Sequence, residues 1–124
     1  MRALLIAGLL GMVLAGGASA QPAGLTASGE AAFKQLGCSN CHTPDDNEQA
    51  PPLAGVYGRK IAGAENWPYC EGLKAKAKAG AWTDANLDAF LSDTKAFTGG
   101  CVMDYKISDP AGRQALIAYL KTLK

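Results

Sequence analysis

The stretch Cys38-Ser39-Asn40-Cys41-His42 decides what this chain of 124 residues folds around. Its C-x-x-C-H pattern is the attachment signature of c-type haem. The two thiols would add across the haem vinyl groups, and His42 would become an axial ligand of the iron. Two intervening residues let a turn span the distance between the vinyl groups, and the histidine must follow directly to reach the iron. The motif therefore predicts one covalent haem c per chain.

A C-x-x-C pair also occurs in thioredoxin-like redox sites and in zinc sites. A thioredoxin-like redox pair expects alternating strands and helices around Cys38, and the sequence shows no such alternation. A zinc site needs two more ligands at paired spacing, but Cys70 and Cys101 lie far apart and His42 is the only histidine. Haem attachment is therefore favoured over both.

The first twenty residues have the pattern of a secretory signal peptide. Arg2 supplies a positive charge, an apolar run covers residues 3–14, and Ala18-Ser19-Ala20 forms an A-x-A cleavage site. The apolar run is too short for a membrane span, and an uncleaved anchor is the alternative. We expect a cleaved segment at 1–20, a flexible lead-in at 21–27 and one domain at 28–124.

Composition limits the partners of that domain. Lys and Arg number 12 and Asp and Glu number 11, so positive and negative side chains nearly balance. No basic stripe with interleaved aromatic residues is present, which argues against a nucleic-acid partner. The length that remains after residue 20 is enough for one compact domain.

Short amphipathic segments predict an all-α domain with three or four short helices and long loops. The predicted helix N-caps are Ser28, Thr83 and Asp109, the last followed by a proline at the first helical position. A further short helix is expected at 73–80, whereas 43–52 and 53–68 carry too many Pro and Gly residues for a regular element. These helices bury little apolar surface by themselves. A buried porphyrin would complete the core.

Met103 is the leading candidate for the second axial ligand. Met1 and Met12 lie in the predicted signal peptide, and Met103 follows a Gly-rich segment that can approach a flat cofactor closely. A lysine, a water molecule or an open position are the alternatives. Thioether ligation stabilises the ferrous state, and an iron with both axial positions filled by protein favours electron transfer over chemistry on a bound substrate.

The order of motifs along the chain resembles that of class I monohaem cytochromes c of the mitochondrial and c2 type. The motifs are C-S-N-C-H at 38–42, G-R-K at 58–60, Trp-Thr at 82–83, Gly-x-x-Met at 100–103 and L-I-A-Y-L-K at 116–121. The resemblance covers about residues 28–123. It implies the cytochrome c fold, in which short helices and long loops wrap around one covalent haem.

The resemblance also implies roles for individual residues. The Pro51 carbonyl would orient His42 by accepting a hydrogen bond. A buried haem propionate would be held by Arg59, Tyr69 and Trp82, since a buried carboxylate needs donors. Trp82 as plain core and Arg59 as plain surface are the alternatives. The first and last helices would meet through Phe33, Leu116 and Tyr119.

Departures from the family pattern concern the segment before Met103. Gly99 stands where the family usually has proline, which should loosen this loop. Phe90 replaces a frequent tyrosine, so a hydrogen bond to the methionine sulfur is absent. Cys70 and Cys101 align with positions that flank the same propionate edge, and an exported compartment permits disulfides. We predict a Cys70–Cys101 disulfide; two buried free thiols are the alternative.

These expectations together predict a soluble, monomeric one-electron carrier of the bacterial periplasm, which is not an enzyme and has no stable membrane insertion. It would dock transiently with donor and acceptor redox proteins through the exposed haem edge. Lys74, Lys76 and Lys78 could join that surface or form a merely solvated face. The alternatives are a haem enzyme or gas sensor in which Met103 detaches, and a dedicated electron-acceptor subunit of one exported dehydrogenase.

Overall fold

The computed structural model describes residues 23–43, 49–101 and 103–124. The α-helices in these ranges are α1 (Ala23–Gln35), α2 (Glu71–Lys76), α3 (Asp84–Ser92), α4 (Thr94–Thr98) and α5 (Pro110–Leu120). The described residues form no strand, although Lys60 and Ala81 make an isolated bridge. The all-α prediction is confirmed. The predicted signal peptide at 1–20 lies outside the described residues, and within them no helix is long and apolar enough to cross a membrane.

Helix α1 begins at Ala23, earlier than the sequence predicted. The sequence predicts a flexible lead-in at 21–27, whereas the structure places residues 23–27 in this helix; the domain boundary at residue 28 stays a prediction. The Ser28 hydroxyl donates to the Gly24 carbonyl at 2.9 Å, one turn back in the same helix. Ser28 thus bonds within the helix instead of capping its first turn.

The other predicted caps are present. The Thr83 hydroxyl accepts from the Asn86 N–H at 3.2 Å, which starts α3. The Asp109 carboxylate accepts from the backbone N–H groups of Ala111 and Gly112, with Pro110 at the start of α5. Helix α2 begins at Glu71, two residues before the prediction, and a 3-10 turn at Ala77–Ala79 continues it. Local side-chain chemistry therefore sets the starts of α3 and α5.

With α4, the described residues contain five α-helices, above the predicted three or four. Helix α4 begins where the Asp93 carboxylate accepts from the Ala96 N–H at 2.9 Å. It ends at Gly99, whose φ is 74° and whose N–H donates to the Lys95 carbonyl at 2.7 Å. Proline has no N–H and cannot adopt a positive φ, so this helix end requires glycine. Gly99 therefore closes α4 in a left-handed conformation, and the expectation that it loosens the loop stays a prediction.

Helices α1 and α5 pack against each other and form one side of the core. The Phe33 and Tyr119 rings have centroids 5.3 Å apart, and Leu116 is 2% exposed. The backbones approach so closely that a Cβ atom on Gly29 would lie 1.9 Å from the Ala115 carbonyl oxygen. Glycine is thus needed at this crossing. The predicted contact between the first and last helices is present.

The remaining core is built by α3 and α5 with side chains from the long loops. Its buried members are Phe33, Val56, Ile61, Trp82, Leu87, Leu91, Leu116, Ile117 and Leu120. Many of these side chains also line a shared cavity. The fold is therefore an apolar shell around an internal space.

Candidate functional site

The structure brings every predicted site residue to one cavity of about 480 Å³. Core side chains form much of its wall, including Leu53, Val56, Leu87, Leu91, Leu116 and Leu120. The predicted residues that line it are Cys38, Cys41, His42, Pro51, Arg59, Tyr69, Cys70, Trp82, Cys101 and Met103. An apolar cavity with two thiols, an imidazole and a thioether suits a flat apolar cofactor that carries a metal.

A tight turn arranges the C-x-x-C-H motif at the mouth of the cavity. Gly37, with φ 73°, leads into the 3-10 turn Cys38–Asn40, and the His42 N–H donates to the Cys38 carbonyl at 2.9 Å. Cys38 is half-buried and Cys41 is exposed, and both are free thiols. Burial raises the pKa of the Cys38 thiol. Both sulfurs are available for covalent attachment.

The His42 ring is held in one tautomer. Its Nδ1 lies 3.0 Å from the Pro51 carbonyl oxygen. Because a carbonyl only accepts, Nδ1 must carry the proton, and the lone pair on Nε2 is left for a metal. Burial lowers the pKa of His42, and the hydrogen bond to Pro51 opposes that shift. The imidazole is therefore neutral and oriented, as an axial ligand must be.

The Arg59 guanidinium has one donor that no described group satisfies. Its Nη2 donates to the Pro52 carbonyl at 2.9 Å, and its Nη1 donates to the Ala54 carbonyl at 3.3 Å. Among the described residues, its buried Nε has no hydrogen-bond partner. An unpaired buried donor is costly, and a haem propionate would supply the missing acceptor. The orphaned Nε thus shows that the cavity fits haem.

Tyr69 and Trp82 line the same cavity as Arg59. The Tyr69 hydroxyl oxygen accepts from the Ala64 N–H at 3.1 Å, which leaves its own proton for another acceptor. The Trp82 N–H of the backbone donates to the Arg59 carbonyl at 2.8 Å. The Trp82 ring is 7% exposed and packs on the rings of Phe90 and Phe97. Trp82 therefore belongs to the core as well as to the cavity.

Met103 lines the same cavity as His42 and is half-buried. Its carbonyl oxygen accepts from the Thr94 hydroxyl at 2.7 Å. Phe90, which replaces the frequent tyrosine of the family, also lines the cavity and offers no hydrogen bond there. Besides the two thiols expected to attach the cofactor, the Met103 thioether and the His42 imidazole line the cavity and are suited to ligate an iron.

Cys70 and Cys101 are joined in a disulfide, with Cα atoms 5.9 Å apart. This separation lies within the usual range for a disulfide. Cys70 directly precedes α2 and Cys101 lies shortly after α4, so the bond ties α2 to the segment that carries Met103. Beside it, a Cβ atom on Gly72 would lie 1.6 Å from the Thr98 carbonyl oxygen. Helices α2 and α4 therefore meet at two neighbouring points, the disulfide and the close approach of Gly72 to Thr98.

The lysines of the predicted run at 74–78 are not all free to contact a partner. Lys74 forms an ion pair with Glu71 at 2.8 Å. The Lys76 ammonium lies 4.8 Å from the centre of the Phe97 ring, whereas Lys78 is exposed. Two of the three lysines are therefore engaged within the chain, which weakens a basic docking surface.

Sequence reasoning missed several residues that shape the site. Trp67, Leu73 and Tyr105 also line the cavity, and only their apolar character could have indicated it. Thr94 and Thr98 were missed because two buried threonines in a short helix give no local signal. Their hydrogen bonds become visible only in the folded chain.

Comparisons with known proteins agree with this geometry. The family model for cytochrome c matches residues 26–124. A cytochrome c2 from Rhodopseudomonas palustris is 36% identical over an alignment of 113 positions, gaps included, that spans 79% of this chain and 97% of that protein. A cytochrome c2 from Rhodospirillum rubrum is 34% identical over an alignment of 135 positions, gaps included, that spans 99% of this chain and 98% of that protein.

Solved structures have the same fold. Cytochrome cH from Methylobacterium extorquens superposes with a TM-score of 0.69 at 39% identity, covering 78% of this chain and 97% of that one. Cytochrome c2 from Rhodospirillum centenum gives a TM-score of 0.70 at 32% identity, covering 80% of this chain and 98% of that one.

Proposed function

Because the chain belongs to the cytochrome c family and carries one covalent haem c, we propose that it is a periplasmic one-electron carrier with His/Met axial ligation. The observation that carries the proposal is that Cys38, Cys41, His42 and Met103 all line one apolar cavity. Bound haem c supplies the one-electron couple between ferric and ferrous iron. The chain's residues fix the cofactor and set which redox state is favoured.

Each axial position has a protein group suited to it. The Pro51 carbonyl accepts from His42 Nδ1, which leaves Nε2 on the other side of the ring to ligate the iron. Met103 supplies a thioether, which favours the ferrous state and raises the reduction potential. With both positions filled by the chain, little room is left for a substrate on the iron. This supports a carrier and argues against an enzyme.

The polar wall of the cavity suits the haem propionates. Arg59 offers its unpaired Nε, and Tyr69 offers a hydroxyl proton. Trp82 closes the same wall and holds Arg59 through a backbone bond. A charged carboxylate placed there would meet charge-assisted donors in a largely apolar surrounding, which keeps it ionised out of water.

Export to the periplasm rests on two features of the chain. Residues 1–20 have the signal-peptide pattern, with cleavage expected after Ala20. The Cys70–Cys101 disulfide is typical of an oxidising compartment and rare in a reducing cytosol. Recovery of a haem-loaded chain that begins at Gln21 from the periplasmic fraction would support export, and a cytosolic chain that retains Met1 would contradict it.

Docking with redox partners would be brief and weakly electrostatic. Cys41 is exposed beside the cavity mouth, where electrons would leave through the haem edge. Ion pairs within the chain already engage Lys74, Lys95 and Lys106. Such pairs cancel much of the electric field that steers a partner, so we expect the electron-transfer rate to depend only weakly on salt concentration. We expect the protein to act as a monomer.

The ligation is tested by the optical spectrum of the purified ferric protein. We expect the weak far-red band of methionine sulfur on ferric iron, and we expect Met103→Leu to abolish it while the intense haem band remains. Ile117→Val, which changes a buried core residue that is not among those lining the cavity, serves as the control and should keep the far-red band. A wild-type spectrum without the band would remove Met103 from the iron.

Ligand binding separates the carrier from the main alternative. A ferrous iron that is closed by His42 and Met103 should bind carbon monoxide slowly, because the thioether must leave first. Rapid binding to the wild-type ferrous protein at neutral pH would instead favour a haem enzyme or gas sensor with a displaceable methionine.

A further inference from the structure

Thr94 is a fully buried polar residue at the start of α4, with 0% of its surface exposed. Its hydroxyl lies 2.7 Å from the Met103 carbonyl oxygen and 2.9 Å from the Tyr105 backbone nitrogen. The Tyr105 carbonyl is farther from the hydroxyl, at 3.3 Å, and accepts from the Thr94 backbone N–H at 3.0 Å. One buried side chain thus contacts the peptide groups on the C-terminal side of Met103.

The donors and acceptors around this hydroxyl are matched. The single hydroxyl proton has its best acceptor in the Met103 carbonyl, because that contact is the shorter of the two to carbonyl oxygens. The hydroxyl oxygen then accepts from the Tyr105 N–H. Removing the hydroxyl would leave a buried acceptor and a buried donor without partners, which costs more than the bonds themselves contribute.

A second threonine one turn later secures the segment before Met103. The Thr98 hydroxyl donates to the Thr94 carbonyl at 2.8 Å and accepts from the Cys101 N–H at 3.1 Å. Residues four apart lie on one face of a helix, so both hydroxyls face the segment that carries Met103. The bonds therefore hold this segment from both sides.

Helix α4 itself is anchored to the rest of the fold. The Ile107 N–H donates to the Leu91 carbonyl at 3.1 Å, which joins the segment after Tyr105 to α3. The close contact of Gly72 with the Thr98 carbonyl fixes α4 against α2. The Met103 segment is thus hydrogen-bonded to a helix that packs against other parts of the fold.

We propose that Thr94 is a positioning residue that holds Met103 in place for ligation of the iron. The inference rests on the proposed His42/Met103 ligation and adds a cause for its persistence. In this proposal the thioether leaves the iron by a movement of the Met103 backbone, and that movement breaks the hydroxyl bonds of Thr94. Thr94 thereby sets how readily an external ligand replaces the methionine.

The first test measures imidazole binding to the ferric holoprotein by optical titration. Thr94→Val keeps the side-chain shape and removes the hydroxyl, and it should lower the imidazole dissociation constant about tenfold or more. Thr94→Ser restores the hydroxyl and should stay within about twofold of the wild type. Thr122→Val is the matched control, because the Thr122 hydroxyl also donates to a backbone carbonyl at 2.7 Å but lies beyond α5. It should leave imidazole binding unchanged.

The outcomes separate this inference from the proposed ligation. If the wild-type ferric protein lacks the far-red band, then Met103 ligation and the role of Thr94 fail together. If the band is present but Thr94→Val binds imidazole as the wild type does, only the role of Thr94 is overturned. A similar gain in affinity in Thr122→Val would also overturn it, because general destabilisation would then explain the effect.

A second measurement on the wild type needs no variant and decides the matter if Thr94→Val does not fold. Imidazole at saturation should speed hydrogen exchange of the Tyr105 amide by about tenfold or more, because its bond to Thr94 opens when Met103 leaves. The Trp82 amide, bonded to the Arg59 carbonyl at 2.8 Å, is the internal reference and should not change. An unchanged Tyr105 amide would overturn the inference.

Discussion

Replacing Gly29 with alanine is expected to destabilise the protein, although alanine is the better helix former. The added carbon would lie 1.9 Å from the Ala115 carbonyl oxygen, 2.6 Å from the Ala115 carbonyl carbon and 2.9 Å from the Tyr119 Cβ. Two of these atoms are backbone, so no change of rotamer can relieve the overlap. Helices α1 and α5 would have to move apart by about 1 Å in an interior that is already close-packed.

The expected magnitude follows from two opposed effects. An extra carbon forced into a packed interface costs about 1–3 kcal/mol, whereas the better helix propensity of alanine returns about 0.5–1 kcal/mol. The overlap is severe, and separation would also weaken the contact of Phe33 with Tyr119. We therefore expect a net loss of about 2 kcal/mol in the free energy of unfolding, equivalent to a fall of about 10 °C in Tm.

The assay is guanidinium unfolding of the holoprotein, followed by circular dichroism. Gly24→Ala is the matched control, because Gly24 lies in the same helix with nothing within 4 Å of its added carbon. This variant should be neutral or more stable by up to about 1 kcal/mol. Equal stability of the Gly29 and Gly24 variants would refute the close approach of the two helices.

Other predictions concern the disulfide, the cap of α4 and Arg59. Alkylation without reductant should leave Cys70 and Cys101 unmodified by mass spectrometry, and the double serine variant should lose about 4 kcal/mol of stability in denaturant unfolding. The pKa of Asp93 is lowered from 3.8, first by its hydrogen bond to the Ala96 N–H and then by Lys106. A lowered folded pKa gives stability that is present above pH 3.8 and lost as the pH falls through the folded value. Asp93→Asn should therefore show a shallower loss of stability in acid titrations than the wild type does. Arg59→Leu removes two bonds to carbonyl oxygens and should lower the unfolding free energy by about 2 kcal/mol; an unchanged midpoint would contradict those bonds.

The parts of the site that depend on neighbouring residues were predictable from the sequence. The C-x-x-C-H motif places its two thiols and His42 within one turn of chain, and the caps at Thr83 and Asp109 act on N–H groups two or three residues away. Such short-range chemistry is read directly from spacing. The all-α prediction followed from these signals.

The parts that depend on direction or on distant partners were not predictable. Ser28 has the chemistry of a cap, but its hydroxyl bonds backward to Gly24 within α1. Helix α4 has only five residues, too few to be stable alone, and depends on tertiary contacts such as the bonds of Thr94 to the Met103 segment. The sequence shows only that Gly99 replaces the usual proline. The structure shows that its left-handed backbone ends α4. Each case concerns a conformation that the neighbouring residues do not determine.

The packing of α1 on α5 has a consequence for how the chain tolerates cleavage. These helices lie at opposite ends of the described chain, so their contact closes the backbone between them into one large loop. A single cut at the exposed Asn66, where φ is 59°, would leave one helix on each piece. The pieces would remain bound through the crossing at Gly29, and limited proteolysis there should give two bands on a denaturing gel but one species in native size-exclusion chromatography.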